Sequence, residues 1–274
     1  MTTMKDRPHA VTEAGAGPWE RSPCLQGNSK MYQPRFYRSW TSDRDLVSFS
    51  VVLKETDLQI LARRNLRRKA EREVLKYRGA LEAYVARHPQ FLSSLTPVAV
   101  GEDSPRVVRT MAEAAYATGV GPMAAVAGAI AEYVGRQLLP FSREVIVENG
   151  GDIFMSTQHR RLVGIYAGDS PFTNNLALEI QPGDTPLGIC TSSGTVGHSL
   201  SLGQADACIA VSASTALADA AATAVGNLIQ TACDISQGIE FARSLRGLKG
   251  VLIIKDDRIG MWGDVTVVAL GEQD

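Results

Sequence analysis

Hydrophobic and polar positions alternate in some segments of the chain and recur at helical spacing in others, which predicts a mixture of strands and helices. Residues 36–40 and 46–53 flank a polar turn and predict a β-hairpin, whose second strand alternates apolar residues with serines. A long helix is expected over residues 58–88, where a rough apolar stripe recurs every three or four positions.

The middle of the chain predicts a short strand at residues 97–100 and then two helices. The first helix covers Arg106–Thr118, with Pro105 marking its start and Gly119 its end. The second covers residues 123–139 and is rich in alanine and glycine. Small side chains at this spacing allow the backbone of a neighbouring element to approach closely.

Short strands dominate from residue 144 onward. They are predicted at residues 144–148, 152–156, 162–167, 176–180, 188–191, 206–212, 250–255, 258–262 and 265–270. Two helices, at residues 214–231 and 236–244, interrupt this series, and the serine and threonine at the start of the first can cap it. Strands in a row favour antiparallel pairing, so the predicted fold class is α+β, with mostly antiparallel sheets flanked by helices.

Composition bounds the domain organisation. The chain has 274 residues, of which 45% are hydrophobic, enough for one large folded unit. Residues 1–30 contain several glycines and prolines and no periodicity, so we expect a disordered N-terminal tail. Residues 31–274 are expected to form a single domain, and the sequence leaves open whether translation starts at Met1 or at Met31.

Charge and hydropathy restrict the class of partner. The net charge of −1 gives no electrostatic case for binding nucleic acid. No stretch of about 20 apolar residues is present, so we expect no membrane span, and residues 9–30 have no apolar core of a signal peptide. We therefore expect a cytoplasmic protein. Aromatic residues make up only 6%, and an alanine-rich core of this kind would suit a homodimer.

The first candidate site is a pair of glycines between two strand-like segments. Two glycines permit positive φ angles and leave space for an approaching ligand. Polar side chains bracket them, so the candidate binding residues are Asn149, Gly150, Gly151 and Asp152. On spacing alone, the alternative of a tight hairpin turn is favoured.

The second candidate is a hydroxyl-rich loop that follows a strand. Ser192, Ser193 and Gly194 can offer N–H and O–H groups to a phosphate, although a plain polar loop is as good an interpretation. His198, further along this loop, could be a base, a ligand or a surface residue.

The third candidate is a pair of oxygen-bearing side chains on an alanine-rich helix. Asp219 and Thr223 are four residues apart and share one face. Burial of an unpaired acid is costly, and Mg²⁺ would satisfy a carboxylate and a hydroxyl together. The alternative is that Asp219 faces water or accepts a hydrogen bond from the backbone.

Two further patterns are weaker. A basic run between Arg63 and Lys76 could bind a partner, but a solvated helix face with local counter-charges is favoured. Cys190, Cys208 and Cys233 lie among small or apolar residues, which is typical of buried structural thiols. No C-x-x-C pair is present, so zinc is improbable.

Taken in order, the three candidate segments resemble the ApbE-like family, flavin transferases that move FMN from FAD onto a protein threonine or serine. The residues that carry the likeness are Asn149-Gly150-Gly151-Asp152, Ser192-Ser193-Gly194 and Ala218-Asp219-Ala220-Ala221-Ala222-Thr223-Ala224. Residues 31–270 look closer still to a small uncharacterised branch of that superfamily.

The resemblance implies an ApbE-like fold, FAD and Mg²⁺ as cofactors, and a Mg²⁺-dependent protein that transfers FMN to a protein acceptor or cleaves the pyrophosphate of FAD. It implies that Asp219 and Thr223 hold Mg²⁺ with a backbone carbonyl near Gly128 or Ala129. The first two segments would line the flavin-nucleotide cleft.

The chain departs from the family pattern at two places. Glu132 stands where the family usually has a lysine, and Leu202 and Gly203 stand where it has Asp-Pro. A protein that keeps the fold and binds a ligand or a partner without chemistry is therefore the alternative function.

Overall fold

The computed structural model describes residues 45–196 and 201–270. The predicted tail at residues 1–30, the first predicted hairpin strand at residues 36–40 and His198 lie outside the described residues.

Eleven strands form two sheets within this part of the chain. They are β1 Val47–Leu53, β2 Thr56–Ala62, β3 Val145–Asn149, β4 Asp152–Ser156, β5 Arg161–Gly164, β6 Leu176–Ile180, β7 Leu187–Ser192, β8 Ala207–Ser212, β9 Leu248–Lys255, β10 Arg258–Gly263 and β11 Thr266–Ala269. The large sheet has the order β1-β2-β3-β4-β7-β8-β9-β10, and the small sheet has the order β11-β6-β5. Every pairing is antiparallel, which confirms the predicted α+β class.

Six α-helices of the described segments pack with these sheets. They are α1 Arg67–Arg87, α2 Gln90–Ser93, α3 Arg106–Thr118, α4 Val126–Leu138, α5 Thr215–Leu228 and α6 Ile235–Ser244. Helix α3 has the predicted bounds and ends at Gly119, whose φ of 78° is the left-handed conformation that glycine adopts freely. Ser214 caps α5, as expected, by accepting a hydrogen bond from the Leu217 N–H.

The structure corrects the start of the long helix predicted at residues 58–88. Residues 56–62 form β2, which pairs with β1 and supplies the partner that the sequence placed at residues 36–40. The decisive signal is period-two burial: Thr56, Leu58, Ile60 and Ala62 are buried, and the residues between them are partly exposed. The apolar residues at 58 and 61 imitated the start of a helical stripe.

The strand predicted at residues 97–100 is also wrong. This segment has irregular backbone between α2 and α3, and no described strand pairs with it. Val98 and Val100 pack against the core instead, which accounts for the apolar pattern without a sheet.

The core has three layers: helices on one face of the large sheet and the small sheet on the other. Helices α1, α3 and α4 share one apolar cluster with the first half of the large sheet, and α5 and α6 share another with β7–β9. The opposite face packs against the small sheet through residues such as Met155, Leu178 and Ile209. Helices α4 and α5 therefore lie side by side over the middle of the large sheet.

Among the described residues, no single helix is long and apolar enough to cross a membrane. One pair of consecutive helical segments, Arg106–Thr118 and Pro122–Phe141, has the combined length and composition of a membrane span, but it is bent by 108° between the two segments.

Candidate functional site

Helices α4 and α5 approach each other closely at Gly128. A Cβ atom there would lie 2.5 Å from the carbonyl oxygen of Thr215 and 2.8 Å from the Cβ of Asp219. Only glycine allows this approach, because the carbonyl group of Thr215 belongs to the rigid backbone of α5. The small residues expected to permit close contact therefore have a defined place, at the crossing that carries Asp219.

The backbone of α4 binds the side chain of Asp219 at this crossing. The Gly128 N–H donates to Asp219 Oδ2 at 2.8 Å. The alternative from the sequence, in which Asp219 accepts a hydrogen bond from a backbone group, is thus correct for one carboxylate oxygen. Thr223 lies one turn further along α5 and is partly buried.

The paired glycines form the turn between β3 and β4. Gly150 has a φ of 70° and Gly151 a φ of 110°, conformations that favour glycine. The hairpin interpretation is therefore confirmed. The turn is also tied to α4, since the Asn149 amide donates to the Ala127 carbonyl at 3.0 Å. A Cβ at Gly150 would meet nothing within 4 Å, so this face of the turn is open.

Asp152 is the second acid at this site and is 7% exposed. The Cys190 thiol lies beside it and donates to the Thr215 carbonyl oxygen at 3.4 Å. The Oδ1 atom of Asp152 has no hydrogen-bond partner within the described part of the chain. Since a buried polar atom without a partner costs about 1–3 kcal/mol, this oxygen is suited to an external ligand.

The two carboxylates influence each other. Burial, reinforced by the charge of Glu148, raises the pKa of Asp152 to about 7. Burial and then the charge of Asp152 raise the pKa of Asp219 well above its usual range. Among the described residues, no lysine or arginine contributes to either shift. A bound cation would favour the charged form of both groups.

The loop after β7 contributes in two different ways. The Ser192 side chain lies 3.6 Å from where a Cβ of Gly226 would be, so it faces α5 beyond Thr223. The Ser193 hydroxyl instead accepts the N–H of Val196 at 2.9 Å, within its own loop. Gly194 is required by packing, because a Cβ there would lie 2.0 Å from the Gly203 carbonyl oxygen.

The donor set fits a hard, oxygen-binding cation. Asp219 and Thr223 offer a carboxylate and a hydroxyl, and Asp152 adds a buried oxygen without a partner. Thr215 Oγ1 is a second buried oxygen without a partner in the described residues. The sequence placed Asp152 only with the nucleotide and missed Thr215 and Cys190, since their proximity arises from the pairing of β4 with β7 beneath α5.

The thiols divide into two groups. Cys190 and Cys208 are buried, as expected for structural thiols. Burial raises the pKa of Cys190, with Asp152 and Asp219 adding to the shift, and burial raises that of Cys208 to about 12. Cys233 is exposed, so the prediction of burial is wrong there. Its place in a short 3₁₀ turn before α6 exposes it despite small neighbours.

Part of the basic run is engaged in ion pairs, two of them with residues one turn away on α1. Arg63 pairs with Glu144, Arg67 with Glu71 and Lys69 with Glu73. These contacts support the interpretation as a helix face with local counter-charges.

A separate group of acids and a histidine lies where β3 begins: Asp45, Glu144 and His159. Its ligand atoms lie within 4.8 Å of one another. Glu144 is fully buried, but Arg161 donates to it at 2.8 Å and the Arg63 Nε at 2.9 Å. Two guanidinium groups already balance its charge, so the cluster is an ion-pair network.

Comparison with known proteins places the chain in a family. A family model described as "AbpE bacteria" matches residues 38–246. The chain belongs to this family. It is 40% identical over 223 residues to a UPF0280 protein of Methanosarcina acetivorans, covering 80% of this chain and 88% of that one. It is 44% identical over 191 residues to a UPF0280 protein of Methanocella arvoryzae, covering 69% and 78%. The expected likeness to an uncharacterised branch is thereby confirmed.

Solved structures confirm the ApbE-like fold of this AbpE-family chain. The flavin transferase ApbE from Vibrio cholerae superposes with a TM-score of 0.55 at 13% identity, covering 80% of this chain and 96% of that one. The apo flavinyl transferase ApbE from Pseudomonas stutzeri superposes with a TM-score of 0.53 at 11% identity, covering 80% and 94%. At these identities, the likeness establishes the fold alone.

Proposed function

We propose that the protein binds FAD together with Mg²⁺ and breaks the pyrophosphate bond of the dinucleotide. The FMN phosphoryl group would pass to a protein hydroxyl or to water, and AMP would leave. The observation that carries this proposal is the pair of carboxylates, Asp152 and Asp219, near an open glycine turn. Burial raises the pKa of both, and the charge of Asp152 adds to the shift of Asp219.

The cation would lie at the crossing of α4 and α5. Asp219, Thr223 and a carbonyl near Gly128 or Ala129 would hold it. Asp152, whose charge acts on Asp219, adds a buried oxygen without a hydrogen-bond partner among the described residues. A bound Mg²⁺ supplies positive charge to the pyrophosphate oxygens. Asp219 is oriented before any ligand arrives, because the Gly128 N–H fixes one of its oxygens.

The nucleotide would lie along the two glycine-containing segments. Gly150 and Gly151 leave the space above the β3–β4 turn open, and Asn149 fixes that turn to α4. Ser192 to Gly194 would line the other side of the cleft. Since the Ser193 hydroxyl is used within its loop, Ser193 would contribute its position and backbone rather than a free hydroxyl.

The alternative is a protein that binds the flavin nucleotide without chemistry. The observation that favours it is the state of Glu132: its carboxylate accepts the Thr215 N–H at 2.7 Å and pairs with Arg136. It is therefore occupied structurally rather than available to a substrate.

Turnover and binding can be separated with the purified full chain. We expect FMN and AMP to form from FAD in the presence of MgCl₂, and Asp219→Asn to abolish product formation. The exposed Asp169→Asn is a matched control that should keep full activity. Covalent flavin on an added protein would indicate transfer, and free FMN would indicate hydrolysis.

Two other outcomes are informative. FAD that raises the melting temperature without forming product would support the binding protein. Absence of both product and stabilisation would contradict both functions. A cytoplasmic location, a protein acceptor and a homodimer remain parts of the proposal, and the acceptor would be identified by its covalent flavin.

A further inference from the structure

The first turn of each of the helices α4 and α5 donates a backbone hydrogen bond to a carboxylate of the other helix. Asp219 of α5 accepts the N–H of Gly128, in the first turn of α4, at 2.8 Å. Glu132 of α4 accepts the N–H of Thr215, the first residue of α5, at 2.7 Å. First-turn N–H groups have no acceptor within their own helix, and their partial positive charge favours a carboxylate. The two helices are therefore joined by two reciprocal, charge-assisted hydrogen bonds.

Both carboxylate oxygens of Glu132 accept hydrogen bonds, which fixes the rotation of this side chain. Oε1 accepts a hydrogen bond from Arg136 at 2.8 Å. Oε2 accepts the Thr215 N–H, and the Ser214 hydroxyl lies 3.4 Å away. The residue is only 8% exposed. Its carboxylate is thus held in one orientation, at a fixed distance from the start of α5.

We propose that Glu132 is a positioning residue for the cation-binding carboxylate of Asp219, an inference that rests on the proposed function. Asp219 lies one turn beyond Thr215 on the same helix. The anchoring of Thr215 by Glu132 sets the rotation and translation of that turn against Gly128. Groups that orient a metal ligand through such contacts typically change metal affinity by about 10- to 100-fold when removed.

The length and the charge of the side chain at position 132 can be tested separately. In Glu132→Gln, the amide oxygen can still accept the Thr215 N–H, and the NH₂ group replaces the oxygen that pairs with Arg136, whose exposed side chain can turn into solvent. Mg²⁺ affinity should therefore stay within about threefold of wild type. In Glu132→Asp, the charge is kept but the side chain is one methylene shorter, so the hydrogen bond is lost. We expect Mg²⁺ affinity to fall about tenfold.

Glu73→Asp provides a matched control. Glu73 is a buried glutamate, 6% exposed, that pairs with Lys69 on α1. Shortening it perturbs a buried acid of the same type away from the α4–α5 crossing, so Mg²⁺ affinity should not change.

The measurement is isothermal titration of the full chain with MgCl₂, with circular dichroism to show that each variant is folded. Wild-type affinity in a folded Glu132→Asp variant would overturn the inference and leave the proposed function intact. A tenfold loss in Glu132→Gln would also overturn it, since charge and not position would then be responsible. A wild-type chain that binds no Mg²⁺ would contradict the proposed function itself.

Discussion

Carboxylates with little or limited exposure to solvent lie in two regions of the protein, and their pKa values are shifted in opposite directions. At the start of β3, burial opposes the ionisation of Glu144, but hydrogen bonds from Arg161, Thr157 and Arg63 outweigh it and lower its pKa to about 2. At the α4–α5 crossing, burial raises the pKa of Asp152 to about 7, and burial together with the charge of Asp152 raises the pKa of Asp219 well above its usual range. The first region contains its own cations, whereas in the part of the chain that the structure describes no lysine or arginine contributes to the pKa shifts of the second region.

The difference indicates what each region is for. A buried charge paired by arginines is complete without a ligand, and removal of one partner leaves an uncompensated charge. The buried Asp152 and the partly buried Asp219 repel each other when charged, and a divalent cation would relieve this repulsion. It would also give a partner to the Asp152 oxygen that has none among the described residues. Stability should therefore depend on internal partners in the first region and on ligands in the second.

The largest effect is expected from Arg161→Ala in the first region. It would leave the fully buried Glu144 with one guanidinium fewer, and loss of a partner from a buried pair costs about 3–5 kcal/mol. Urea denaturation measures this loss of unfolding free energy. Arg160→Ala, which breaks the exposed pair with Glu179, is the neighbouring control and should produce little change. Equal effects of the two variants would contradict the buried network.

The pH dependence of stability should have opposite signs in the two regions. Because the pKa of Asp152 is raised to about 7 in the folded protein, the folded state holds the proton of this carboxyl group more tightly than the unfolded state does. This group therefore stabilises at low pH, and its contribution falls as pH rises from about 4 to 7, by up to about 1.4 kcal/mol per pH unit. The pKa of Glu144 is lowered from 4.5 to about 2 in the folded protein. Glu144 therefore stabilises the folded state above pH 4.5, and this contribution is lost as the pH falls toward 2.

Asp152→Asn tests the first of these trends in the presence of EDTA. The variant stays neutral, so its unfolding free energy should decline less between pH 5 and 7 than that of wild type. Asp169→Asn, at an exposed position, should keep the wild-type slope. An unchanged slope in Asp152→Asn would show that Asp152 is ionised throughout this range in the folded protein.

A cation should stabilise the second region selectively. At a concentration 100 times its dissociation constant, Mg²⁺ would add about 2.7 kcal/mol to the unfolding free energy. The gain should be larger at pH 8 than at pH 5, because protons compete with the cation for Asp219 and Asp152. Denaturation with and without MgCl₂ measures it, and Asp219→Asn should remove the gain. A gain retained in that variant would place the cation elsewhere.

The sequence predicted individual residues and the turn of the second region better than the contacts between its helices and strands. Asp219 and Thr223 follow from helical spacing, and the β3–β4 turn follows from its glycines. The partners Thr215 and Cys190 were missed, because only the order of strands in the sheet brings β7 under α5. The start of α1 was misplaced for a related reason: burial of β2 on one face depends on its pairing with β1 and β3, which a helical stripe imitates locally.

The smallest expected effect comes from Gly128→Ala, which perturbs the geometry of the second region without removing a charge. The added Cβ would lie 2.5 Å from the Thr215 carbonyl oxygen, so α4 and α5 must separate. Overpacking of this kind typically costs about 1–3 kcal/mol. The Gly128 N–H would move away from Asp219, so stabilisation by Mg²⁺ should weaken as well.

Gly79→Ala in α1 is the matched control for this glycine. A Cβ at Gly79 would meet nothing within 4 Å, and alanine is the better helix former by about 1 kcal/mol. This variant should be more stable than wild type and keep its full response to Mg²⁺. In Gly128→Ala, the acid transition linked to Glu144 should be unchanged, since Arg161 and Arg63 lie outside the crossing. A wild-type Mg²⁺ response there would mean that the close approach of α4 and α5 serves packing and does not position Asp219.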